Sequence, residues 1–78
     1  MNAIFVLRNK MNTLVNQIGN KPGIIKDYIT NLNDEFAEYE NLVSNSCDEQ
    51  RIKMQLEYID LLIIDMEYMV KKINDKNN

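Results

Sequence analysis

Between Ile52 and Ile73 an apolar residue returns at alternating steps of four and three: Ile52, Leu56, Ile59, Ile63, Met66, Val70 and Ile73. Three unbroken heptads place all seven on one side of an α-helix, and a strict seven-residue period winds that helix around a neighbour with left-handed twist. A strand could not use the pattern, because strand side chains alternate with period two. The spacing predicts a helix over residues 47–74, about 40 Å long. A seam of that length must be covered by something, so it constrains the rest of the chain.

Two earlier stretches repeat the design. Ile4, Leu7, Met11, Leu14 and Ile18 follow a 3, 4, 3, 4 spacing, which predicts a helix over residues 2–18. Gly19 stands just past the last of them, where helices commonly stop. Asn20-Lys21-Pro22-Gly23 is the clearest turn, and Pro22 suits a first helical turn because it has no N–H to donate. A second helix is predicted over 22–43, with the seam Ile25, Ile29, Leu32, Phe36, Tyr39 and Val43. The short connection predicts an antiparallel hairpin of these two helices. Ser44-Asn45-Ser46 then breaks the period, and Ser46 with Glu49 has the spacing of a capping box for the third helix. Asp48 and Glu49 at its start and Lys71 and Lys72 near its end complement the macrodipole, and the last four residues are expected to fray.

The expected architecture is all-α: an antiparallel helical hairpin plus a long third helix, closing into one coiled-coil-like three-helix bundle over residues 1–78. Composition agrees, since two glycines and one proline cannot supply the turns of a multi-stranded sheet. The third helix carries a further apolar set, Leu61, Leu62, Ile64 and Met69, more than a hairpin of shorter arms can cover. Homodimerisation along Ile52, Leu56, Ile59, Ile63, Met66, Val70 and Ile73 is therefore expected, with a filled monomeric core as the alternative. The six aromatic residues stand mostly at helical spacing and read as core or interface, and the five methionines as adaptable filling.

The chemistry open to such a chain is narrow. It has no histidine, so the commonest general base and transition-metal ligand are missing, and no metal site is expected. Asp60, Asp65 and Glu67 read as a solvated face. A lone Cys47 can form no internal disulfide, which points to a reducing, cytoplasmic setting. Ala3–Leu7 is too short for an export signal, and Leu61-Leu62-Ile63-Ile64 is fenced by Asp60 and Asp65, so no membrane span is expected. Charge is uneven: residues 1–26 hold Arg8, Lys10, Lys21 and Lys26 without an acid, whereas 27–67 hold eleven acids against Arg51 and Lys53. Four scattered cations make no stripe for a nucleic acid, and the acidic middle suits a basic protein surface, with a solvated helix face as the alternative.

The stretch from Ile4 to Leu42 resembles the stage-zero sporulation protein E-like family, helical-hairpin aspartyl-phosphate phosphatases of spore-forming bacteria. The likeness rests on Ile4, Leu7, Arg8, Met11 and Leu14 in the first helix, then Gly19 and Pro22. It continues with Leu32-Asn33, Phe36, Tyr39 and Leu42 in the second. It departs at the family's S-Q-x-L-D signature, which falls on Ile29-Thr30-Asn31-Leu32-Asn33 and keeps only the leucine. The third helix has no counterpart there.

The resemblance implies docking on the receiver domain of a phosphorylated response regulator, in sporulation-type signalling, and faster hydrolysis of its aspartyl phosphate. The chain would need no cofactor of its own, because the receiver domain supplies Mg²⁺ and the acyl phosphate; the added protein need only hold a water in line. Asn33 would be the inserted catalytic residue, and Arg8, Thr30, Asn31 and Leu32 would shape the docking face. The alternative is a non-enzymatic coiled-coil interaction protein: an adaptor, an antitoxin-like inhibitor or a phage-type inhibitor.

Overall fold

The computed structural model describes residues 3–18 and 23–76, which form three helices: α1 (Ala3–Asn16), α2 (Gly23–Ser44) and α3 (Glu49–Lys76). No strand occurs among the described residues, and the architecture is an all-α three-helix bundle. Each helix begins and ends within two residues of the position that its apolar period predicts. The expected stop at Gly19 and the turn through Asn20, Lys21 and Pro22 lie outside the described residues. So do two of the four residues expected to fray; the other two, Asp75 and Lys76, continue α3.

The helices reverse direction at each connection. Arg8 in the first half of α1 reaches Phe36 and Glu40 in the second half of α2. Gln55 near the start of α3 donates to the Glu35 carbonyl, again in the second half of α2, at 3.0 Å. α1 and α3 therefore run parallel, and the groove between them pairs Leu7 with Leu56 at one end and Leu14 with Glu67 at the other. α3 is the central element. Both α1 and α2 pack most closely on it, and less closely on each other. The expected antiparallel α1–α2 hairpin is thus spread around α3. The particle is 46 Å long, close to the about 42 Å of a 28-residue helix.

One continuous core joins the seams. Leu7, Met11, Leu14 and Ile18 meet Ile25, Leu32 and Phe36 of α2 and Ile59, Ile63, Met66 and Val70 of α3. Ile25, Leu32, Ile59, Ile63 and Met66 have no exposed surface at all. Among the described residues no polar or charged side chain is buried, so the core is apolar throughout.

Val43 departs from its expected place in the α2 seam: it is 47% exposed, and Leu42 is buried instead. The cause is the way α2 ends. Cys47 N donates to Leu42 O at 3.0 Å and Ser46 N to Val43 O at 3.1 Å, with Ser46 at φ 52°. This is a Schellman turn, and it folds the chain back over Leu42. Ser46 therefore does not cap α3. Asp48 takes that place, its Oδ1 accepting from Gln50 N at 3.4 Å.

The left-handed conformation at Ser46 costs an L-residue about 1–2 kcal/mol, a penalty glycine escapes. Glycine also gives the unfolded chain more freedom, which offsets part of that gain. Ser46→Gly is expected to stabilise the protein by about 0.5–1 kcal/mol. A rise in the urea midpoint checks it; an unchanged or lower midpoint removes the strain argument.

Candidate functional site

The residues that the family resemblance singles out do not converge. Leu32 is fully buried between the helices and has no surface to offer a partner. Its neighbours Asn31 and Asn33 are both exposed, but residues two apart on a helix point about 200° from one another. They cannot address one atom together. Thr30 and Asn33, three apart, do share an exposed face of α2. Thr30 spends its hydroxyl on its own helix, donating to Lys26 O at 3.1 Å.

Arg8 is tied within the fold. Its Nη2 donates to Glu40 Oε1 at 2.8 Å, and its guanidinium lies 5.0 Å from the Phe36 ring centre. The ion pair is open to water on both sides, so it contributes about 0.2–1 kcal/mol. The cation over the ring adds a similar amount. Together they latch α1 to α2. An arginine so engaged shapes a docking face only by giving up those contacts.

The seven residues expected to form an oligomer seam face inward. Ile59, Ile63, Met66 and Val70 are core, Leu56 and Ile73 are half-buried against it, and Ile52 is half-buried. The chain's own α1 and α2 cover the four core residues. Leu62 and Met69 of the further apolar set also pack against the core.

What α3 leaves in water is a different set. Met54, Tyr58, Leu61, Ile64 and Tyr68 are all exposed, from 46% at Tyr58 to 65% at Tyr68. Met54, Tyr58, Leu61 and Tyr68 continue the four–three spacing with Asp65 filling the gap, and Ile64 stands beside them. The five occupy an arc of about 120°, on the side of α3 opposite its core seam. Of the aromatic residues expected in core or interface, only Phe36 is buried; Tyr28 and Tyr39 are half-buried, and Phe5, Tyr58 and Tyr68 are exposed. The outer stripe was open to detection in the sequence, by restarting the four–three count at Met54.

Two features adjoin it. On the α1 side, Ala3 and Val6 face Leu56, Glu57 and Asp60 across an open groove, which runs on past Lys10 to Glu67. At the C-terminal end, Lys72 Nζ lies 5.0 Å from the Tyr68 ring centre. Among the described residues no three carboxylates or thiols gather as a metal site would require. None of the described helices is long and apolar enough to cross a membrane. No protein-family model matches the chain, and comparison with curated proteins and with solved structures likewise finds no match.

Proposed function

We propose that this chain is a helical protein-interaction module, a small bundle that presents the outer face of α3 to a protein partner. The observation that carries this reading is the row Met54, Tyr58, Leu61, Ile64 and Tyr68, left in water opposite the core seam. Single exposed apolar residues are ordinary on any surface, but five on one face of one helix form a contiguous patch of the kind that marks interaction sites. Two are tyrosines and one a methionine, residue types enriched where proteins meet. An adaptor or an inhibitor fits this description equally well. The test is site-specific photocrosslinking in native cells. A crosslinkable phenylalanine analogue at Leu61 should give a discrete protein adduct, and the same probe at Asn41 on α2 should give none. Equal yields at both positions, or no adduct at Leu61, would sink the reading.

A second reading follows from the exposed pair Thr30 and Asn33 on α2, where the Asn33 carboxamide projects from a rigid helix. In it the chain docks on a receiver domain, and Asn33 orients the water that hydrolyses the aspartyl phosphate, with the receiver's own Mg²⁺ balancing charge. Arg8 would first release Glu40, and Asn31 would play no part in the chemistry. The assay is the lifetime of phosphoryl groups on receiver domains from the same cell. The expected result is a shortened lifetime that Asn33→Ala restores; an unchanged lifetime ends this reading and leaves the first intact.

A further inference from the structure

We infer that the partner of α3's outer face is a basic amphipathic helix. The inference rests on reading that face as an interaction surface, and adds the chemistry of what covers it. From Met54 to Val70 the helix carries four acids, Glu57, Asp60, Asp65 and Glu67, and no lysine or arginine. Their placement follows from helical geometry. Asp65 lies within the apolar row, while Glu57, Asp60 and Glu67 stand together on its α1 side. Asp60 and Glu67 line the α1–α3 groove. An apolar row with one carboxylate inside it and three along its α1 side is complementary to a helix with an apolar seam and a cationic flank. The Met54–Tyr68 row spans about 21 Å, enough for roughly four turns of such a helix.

The same charges argue against a second copy of this chain as the occupant. An antiparallel pairing centred on Leu61 overlaps the whole apolar row. It also sets Glu57 of one copy against Asp65 of the other, and Arg51 against Lys71, like charge on like charge. A parallel pairing sets each acid against itself. Register shifts that bring Lys71 near Glu57 slide the apolar rows past one another.

The experiment uses the full chain and two synthetic helical peptides of equal length. Both carry the same leucine seam, one with lysine flanks and one with glutamate flanks. The lysine peptide is expected to bind at least tenfold more tightly at low ionic strength, with the gap narrowing as salt is added. The double variant Leu61→Ser with Tyr68→Ser, all its charges retained, should lose at least tenfold of that affinity while its helicity and melting stay those of the parent. Equal affinity for the two peptides overturns the basic-partner inference and leaves the interaction surface standing. Lysine-peptide binding that the double variant does not weaken, or no binding of either peptide, overturns the inference as well; the Leu61 crosslink then decides the surface by itself. Sedimentation that reveals a dimer, abolished in the double variant, assigns the face to a second copy and also overturns it.

Discussion

Phe36→Ala should remove a quarter or more of the stability of this protein, while Phe5→Ala leaves it nearly unchanged. Both residues are phenylalanines on helices, so intrinsic propensity changes alike in the two variants and environment alone separates them. Phe36 is 1% exposed and sits in the cluster that joins α1, α2 and α3, whereas Phe5 is 59% exposed. Truncating a buried phenylalanine removes its transfer energy and leaves a cavity, together about 3–5 kcal/mol. A chain of 78 residues has roughly 4–12 kcal/mol in all. The Arg8 guanidinium also loses the ring beneath it, which loosens the latch between α1 and α2. Phe5→Ala should fall within about 0.5 kcal/mol of the parent. Urea titration followed by circular dichroism measures both. Equal midpoints for the two variants would mean that the three seams do not close on Phe36.

The existence of three helices was legible because each seam repeats over at least five positions, and repetition is what a period can show. Where two helices touch was less so. Period identifies a face but not its neighbour, and α1 and α2 both chose the longer face of α3 over each other. Helix ends were legible only to a residue or two for a related reason. Ser44 to Asp48 offers several capping residues in a row, and the one that acts depends on the left-handed bend at Ser46. That same bend decides that Leu42, and not Val43, is covered. Candidate chemistry read from a motif proved the weakest guide to position. A motif orders residues along the chain, but two steps along a helix send Asn31 and Asn33 to different sides, and one step puts Leu32 inside. The outer stripe of α3 was legible only in part, as Leu61 and Ile64, because Asp65 interrupts its four–three count while the seam through Ile59 and Ile63 is unbroken.

Those two faces of α3 can be told apart by substitution two residues apart. Ile63→Ala should cost about 2–5 kcal/mol, and Leu61→Ala should stay within about 0.5 kcal/mol of the parent. Ile63 has no exposed surface and belongs to the core that joins all three seams; Leu61 is 61% exposed. Alanine has the higher helix propensity in each case, so neither loss can be blamed on the helix itself. The pair also separates folding from function. If Leu61 were held for stability, its removal would lower the urea midpoint. If it is held for a partner, the midpoint stays and only binding falls. A large loss at Leu61 would mean that a second copy or another segment already covers the outer face. A small loss at Ile63 would mean that α3 is turned about its axis, with the row Met54, Tyr58, Leu61 and Tyr68 directed into the bundle.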